Sequence, residues 1–273
     1  MAFQRATVLD PRDQKTDRSS SEALTCVSVV VPCFNESEAV PYLKQNLQVL
    51  VEQGKEDYEF QFILVDDGSN DNTWHDLNEH FGSAANCPSL NCQLIKHPEN
   101  RGMSAAIQTG MASCENEIVC SIDSDCSYPP NLLLDLLPFL DDDVAMVTAS
   151  PYHPDGRVKN VPAWRIWLSK RASWGYSLLL KNQLNCYTCA FRVYRRSQIG
   201  NIQLDQHGFV GTVELIWKAS QLGLRVVERP AVLDVRRYGQ SKMRTFSVAL
   251  KHFRLMARIF FYGLSRQTNK TKP

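Results

Sequence analysis

Residues 117–130 read Glu-Ile-Val-Cys-Ser-Ile-Asp-Ser-Asp-Cys-Ser-Tyr-Pro-Pro. The apolar run Ile118–Ile122 reads as a buried strand, and it stops at two carboxylates one residue apart, Asp123 and Asp125. On an extended chain residues i and i+2 face the same way, so the pair offers two hard oxygen ligands to one spot. Open α/β sheets bind ligands just beyond the carboxyl ends of their strands. Such a pair suits Mg2+ or Mn2+, which fills its remaining positions with phosphate oxygens and water. The competing reading is a solvated turn, because Asp-x-Asp is a common tripeptide. The surrounding chain has to decide between them.

Working upstream, Cys26–Pro32 is β-branched and almost wholly apolar, the pattern of a parallel strand covered on both faces. It ends at Pro32-Cys-Phe-Asn-Glu36, after which Asn35 or Ser37 could cap a helix from about Glu38 to Gly54. Glu59–Val65 is a second strand and runs into Asp66-Asp67-Gly-Ser. Asp and Asn are ordinary turn residues, so this is either a capped loop before the helix carrying Trp74 and Leu77 or an acidic wall for a base or ribose. Asn91–Lys96 is a third strand, followed by Asn100-Arg-Gly102 and a helix whose Ala105, Ala106 and Gly110 let it lie close on the sheet. The start of that helix could hold an anion. Three strand–helix units and a fourth strand predict a mostly parallel, right-handed α/β sheet with helices on both faces. Gly-x-Gly-x-x-Gly and Gly-x4-Gly-Lys-Ser/Thr are both absent, which argues against a dinucleotide fold or a P-loop ATPase.

These motifs carry a family resemblance. Val29-Val-Val-Pro-Cys-Phe-Asn-Glu36, Val65-Asp-Asp-Gly-Ser69, Asn100-x-Gly-x-x-x-Ala106-x-x-x-Gly110 and Asp123-x-Asp125 stand in the order seen in family 2 glycosyltransferases of the GT-A fold. Phe191-Arg-Val-Tyr-Arg, Gly208-Phe-Val-Gly-Thr-Val-Glu214 and Arg237-Tyr-Gly-Gln-Ser-Lys242 resemble the dolichyl- and polyprenyl-phosphate mannosyl- and glucosyltransferases. The resemblance covers roughly residues 26–245. It implies a nucleotide-sugar donor, GDP-mannose or a UDP-sugar, with Pro32, Phe34, Glu36, Asp66, Asp67, Gly102, Asp123, Arg192 and Ser241 in the donor site. It implies a metal on Asp123 and Asp125, with Asp125, Glu214, Arg237 and Lys242 carrying the chemistry. Arg236 or Arg237 through Lys242 reads as a lid that brings cations onto phosphates, or as a solvated basic loop. Glu214 is either near the acceptor, as base for a hydroxyl, or a favourable charge at a helix start. Three positions depart from the closest pattern: Ser127 stands where Gln would, Pro151 where Arg would, and Cys186 where Asp would.

The whole chain sets the bounds. Its 273 residues, 44% apolar, suffice for one large domain, and a formal charge of +1 gives no field for nucleic acid. Residues 1–24 read as a flexible tail, 25–245 as the GT-A domain and 246–273 as an amphipathic helix and tail. Nine scattered cysteines fit a reducing, cytoplasmic compartment, and Cys186-Tyr-Thr-Cys189 lacks the second ligand pair that zinc would want. No apolar run reaches the about 18 residues of a membrane span. Val144–Ser150 is a fifth strand, and Phe191–Arg196 and Arg225–Val235 are further ones, with a helix from Thr212 to Leu222 between them. Trp164–Leu180 mixes aromatic and basic residues. In the final helix Phe246, Ala249, Phe253, Met256 and Phe260 share one face, and Lys251, Arg254 and Arg258 the other. Each helix could lie on a membrane surface or pack on the sheet. Three functions are therefore carried forward: an inverting hexosyltransferase acting on polyprenyl phosphate, a transferase acting on a saccharide hydroxyl, and a non-catalytic nucleotide-sugar-binding subunit. Oligomeric state is left open.

Overall fold

The computed structural model describes residues 23–83, 85, 88–238 and 245–270, with side chains in the last segment described for 247–263. In chain order the strands are β1 (Thr25–Cys33), β2 (Tyr58–Asp66), β3 (Asn91–Lys96), β4 (Ile118–Ser121), β5 (Val144–Ser150), β6 (Arg157–Val158), β7 (Arg192–Arg195), β8 (Arg225–Pro230) and β9 (Val232–Leu233). The helices are α1 (Val40–Gly54), α2 (Thr73–Phe81), α3 (Met103–Ala112), the single turn α4 (Leu133–Leu136), α5 (Ala163–Leu179), the single turn α6 (Arg196–Ile199), α7 (Gly211–Gln221) and α8 (Thr245–Lys270).

Seven strands form one sheet in the order β3-β2-β1-β4-β7-β5-β8, in which β7 alone runs antiparallel, while β6 and β9 make a small parallel pair. Alternation along each strand divides the core. Val27, Val29 and Val31 of β1 and Phe62 and Leu64 of β2 pack under α1, α2 and α4. Val30, Ile63 and Val65 face α3, α5, α7 and α8 on the other side. The predicted parallel α/β sheet with two covered faces is therefore what these residues form. Gly110 shows why the small-residue face was needed: a Cβ there would collide with Val30.

Several boundaries differ from expectation for local reasons. Residues 37–39 form a 3-10 turn before α1, and neither Asn35 nor Ser37 caps it by a side-chain bond. The long strand expected over Arg225–Val235 is two strands in two sheets: the Ala231 N–H still bonds Ser150 O of β5, while the Ala231 carbonyl accepts from the Arg157 N–H of β6. α8 packs through His252, Leu255 and Ile259, with Met256 partly buried beside them; of the face that periodicity selects, Ala249, Phe253 and Phe260 stay exposed, and the Phe246 side chain lies outside the described residues. The N-terminal tail expected over 1–24 lies almost wholly outside the described residues. Among the described residues, no helix is long and apolar enough to cross a membrane.

Candidate active site

The loops leaving β1 and β2 are fastened to each other. Asn35 sits in the left-handed region (φ 53°), which its short polar side chain tolerates. Its N–H donates to Ser69 Oγ (2.9 Å), and its Oδ1 accepts from the Asn70 N–H (2.8 Å). The Glu36 N–H donates to Thr73 Oγ1 (2.7 Å) at the head of α2. Glu36 is thereby held at the rim of the sheet, with its carboxylate turned toward the loop after β9.

Asp66 and Asp67 diverge in role. Asp67 is buried and spends both oxygens on the protein. It accepts from Asn100 Nδ2 (3.0 Å) and from the N–H groups of Arg101 (3.0 Å) and Gly102 (2.7 Å), and it pairs with His97 Nδ1 (2.7 Å). Thr109 Oγ1 holds the other ring nitrogen of His97 at 2.9 Å. Asp67 therefore shapes the 100–102 loop instead of presenting a free carboxylate. His97 and Thr109 were not singled out in the sequence, where a lone His at a strand end carries no signal. Asp66 is buried too but is not saturated: Oδ1 accepts from the Ser69 N–H (3.0 Å), and Oδ2 has no hydrogen-bond partner among the described residues. A buried orphan oxygen of this kind calls for a ligand donor.

Gly102 serves as expected for a glycine: at φ 101° a side chain would lie 2.7 Å from His207 O. The open anion seat expected at the start of α3 is instead covered. The Ala105 N–H donates to His207 O (3.0 Å) and Ser104 Oγ to Gly208 O (2.8 Å).

Asp123 and Asp125 come together by a turn, not by the extended alternation expected. β4 ends at Ser121, Cys126 takes φ 53°, and its N–H reaches back to Asp123 O (3.3 Å). The Ser127 N–H holds Asp125 Oδ1 (2.9 Å). Burial and the neighbouring Asp125 charge push the Asp123 carboxyl up to about 7; Glu36 pushes the same way, and Arg236 opposes them. Arg236 reaches this cluster, with Nη2 2.6 Å from Asp125 Oδ2 and Nη1 3.3 Å from Glu36 Oε1. Among the described residues, Arg236 thus bridges Asp125 and Glu36 and also bears on Asp123.

The donor set fits a hard divalent cation. Asp123, Asp125 and Glu36 do not make a closed three-ligand cage: the one such group among the described residues is His75, Asp76 and Glu79 on the surface of α2, where Asp76 already accepts from the Ser37 hydroxyl. An open carboxylate pair is what Mg2+ or Mn2+ shares with a substrate's phosphates.

Other expected site residues are placed elsewhere. Arg237 lies over the Tyr42 ring (5.4 Å), so the lid's reach into the cluster belongs to the residue before it. Glu214 is fully buried: Oε2 accepts from the N–H groups of Asp205 (3.0 Å) and Gln206 (2.7 Å), and Oε1 faces Lys218 (3.2 Å) and Arg258 (3.6 Å). A carboxylate so engaged is a clamp on the 205–206 loop and on α8, not a base open to an acceptor. Arg192 is buried too, donating to Thr212 O (2.6 Å) and Tyr187 O (3.0 Å), so it braces the sheet below the site. Pro32 and Phe34 lie partly buried at the end of β1 beside Glu36. Ser241 and Lys242 lie outside the described residues.

The model of Glycosyl transferase family 2 matches residues 28–202, well over half of the chain. The chain belongs to glycosyl transferase family 2. Within this family it is 29% identical over 225 residues to polyprenol monophosphomannose synthase of Mycolicibacterium smegmatis, covering 79% of this chain and 80% of that one. It is 25% identical to dolichol-phosphate mannosyltransferase of Pyrococcus furiosus, over 84% of this chain and 63% of the relative. It is 30% identical to undecaprenyl-phosphate 4-deoxy-4-formamido-L-arabinose transferase of Pseudomonas syringae, over 63% of this chain and 48% of the relative. The chain thus spans most of the first relative but only about half to two thirds of the other two. Glucosyl-3-phosphoglycerate synthase of Mycobacterium tuberculosis, solved with Mn2+, UDP-glucose and phosphoglyceric acid, superposes with a TM-score of 0.63 at 18% identity, covering 86% of this chain and 79% of that one. That likeness supports the GT-A fold of this family 2 glycosyltransferase.

Proposed function

We propose that this chain transfers a hexosyl group from a nucleoside-diphosphate sugar, GDP-mannose or a UDP-sugar, to a polyprenyl phosphate, with inversion at the sugar carbon. The relatives that span most of this chain are named for polyprenyl-phosphate acceptors. The observation that carries the lipid phosphate over a saccharide hydroxyl is the state of Glu214. A hydroxyl needs a carboxylate to take its proton, and the carboxylate expected there is locked onto backbone N–H groups and two cations. A phosphate is already ionised at neutral pH and attacks without a base.

In this reading Asp123 and Asp125 hold Mg2+ or Mn2+, with Glu36 adding negative charge beside them. Held there, such a cation would supply the positive charge that offsets a leaving diphosphate. Asp66 Oδ2 accepts a hydrogen bond from the nucleoside, and the loop braced by Asp67 and His97 walls that pocket. Arg236 moves from Asp125 to the diphosphate when donor binds, adding a charge-assisted contact as the glycosidic bond breaks. The acceptor stays in the lipid, so the protein works on the cytoplasmic face as a peripheral protein.

Product formation from a panel of GDP- and UDP-sugars with polyprenyl phosphate and Mg2+ or Mn2+ tests this. Glycosyl-phosphoryl-polyprenol is the expected product. Transfer only to a saccharide would overturn the lipid reading, and nucleotide binding without turnover on any acceptor would make the chain a binding subunit.

A further inference from the structure

α5 and α8 pack on each other through an inner seam. Tyr176 OH meets His252 Nδ1 at 2.9 Å, and the Tyr176 and His252 rings meet edge to face. What the seam leaves outside is unusual for a soluble surface. On α5 the exposed side chains include Trp167, Trp174 (60% exposed) and Leu178 (67%). They recur at i, i+7 and i+11, one stripe of the helix. On α8 Phe253 (70%) and Phe261 (66%) are exposed with Phe260 beside them. α8 is therefore apolar on two sides, one spent on the domain and one exposed.

Charge says what covers it. The 43 residues of the two helices carry eight Lys and Arg and no Asp or Glu, in a chain whose formal charge is only +1. Lys170, Arg171, Lys251 and Arg254 are exposed among the aromatic groups. Two copies of this face would oppose like charges, which disfavours a self-pairing interface. Tryptophan and phenylalanine interleaved with lysine and arginine, without acids, match the headgroup layer of an anionic bilayer.

We infer that the outer faces of α5 and α8 form one docking surface for an anionic membrane, which holds the catalytic cluster beside the lipid that carries the acceptor. The second half of that statement rests on the proposed polyprenyl-phosphate acceptor; the docking itself does not. The helix also reaches the cluster's neighbourhood. Ser169 Oγ of α5 meets Thr188 Oγ1 (3.0 Å), and Lys170 lies over Tyr152 (5.3 Å).

The test is sedimentation of the full chain with vesicles of phosphatidylcholine, with and without phosphatidylglycerol. The variants are Trp167→Ser/Trp174→Ser/Phe253→Ser and Arg171→Glu/Lys251→Glu/Arg254→Glu, all at exposed positions, with circular dichroism and melting temperature as fold controls. Wild type is expected to bind anionic vesicles. The aromatic variant should weaken that binding by roughly tenfold or more. The charge-reversed variant should lose the dependence on phosphatidylglycerol, and raised salt should mimic it. Both variants should keep turnover on a water-soluble, short-chain polyprenyl phosphate while losing it on acceptor in vesicles. Wild type that ignores anionic vesicles, variants that bind as well as wild type, or variants whose one change is loss of self-association would each overturn the inference. Vesicle binding that behaves as expected, with no turnover on any polyprenyl phosphate, would uphold the docking surface and sink the acceptor assignment alone.

Discussion

Arg236→Met removes the guanidinium from the acidic cluster while keeping a side chain of similar length. Arg236 faces Asp125 at 2.6 Å and Glu36 at 3.3 Å, all three side chains being mostly buried. At an effective dielectric of ~20 a contact of about 4 Å between charges is worth about 4 kcal/mol before desolvation. Desolvation and the ordering of the arginine take back more than half, leaving roughly 1–2 kcal/mol. Without metal the variant should melt roughly 2–8 °C below wild type. Since Arg236 also opposes the upward push on Asp123, that carboxyl should titrate still higher. Mn2+ no longer has to displace a competing cation, so Mn2+ should restore more melting temperature to the variant than to wild type. Turnover should move the other way, with kcat/KM falling roughly tenfold to a thousandfold because one charge on the leaving diphosphate is lost. The assay is a melting curve with and without Mn2+, read beside steady-state kinetics. A variant with wild-type melting temperature and wild-type kcat/KM would refute the assignment of Arg236 to this cluster.

His97→Gln should loosen the 100–102 loop that Asp67 braces, raising the donor KM several-fold with a smaller change in kcat; an unchanged KM would show that the loop does not wall the donor pocket. Glu214→Gln should cost melting temperature, since it strips charge from the Lys218 and Arg258 pairs in a buried setting, and should leave the pH profile of turnover in place. A turnover profile that loses its acidic limb in this variant would restore Glu214 as a base. Burial holds His252 down to about 4 between α5 and α8, so the unfolded chain binds the proton first as pH falls from about 6.5. Stability should therefore fall between about pH 6.5 and 4, by up to roughly 3 kcal/mol, and His252→Gln should flatten that slope in melting curves taken across this range.

The strands were legible because β-branched runs such as Cys26–Pro32 have few other uses, and α3 because only small residues fit against Val30. The site was legible as a neighbourhood: Glu36, Asp66, Asp123 and Asp125 do gather at the carboxyl edge of the sheet. What each carboxylate does was not legible. Asp66 and Asp67 are adjacent and chemically alike, yet one keeps an orphan oxygen and the other is saturated by a loop more than thirty residues on. Whether Arg236 or Arg237 enters the cluster depends on the turn after β9, where one residue of register exchanges an acidic site for the face of Tyr42. Glu214 looks like a helix-start acid in sequence, and only the return of α8 over it shows its partners. The inner face of α8 escaped periodicity for a related reason. A helix apolar on two sides offers two answers, and packing on α5 and α7 chose the one centred on His252 and Leu255.

The central claim is that Asp123 and Asp125 carry the divalent cation that a nucleotide donor needs. Titration of GDP and UDP into wild type and Asp125→Ala by calorimetry, each with and without Mn2+, tests it most directly. Mn2+ should strengthen nucleotide binding to wild type and make no difference to the variant. Equal strengthening by Mn2+ in both proteins would contradict the account.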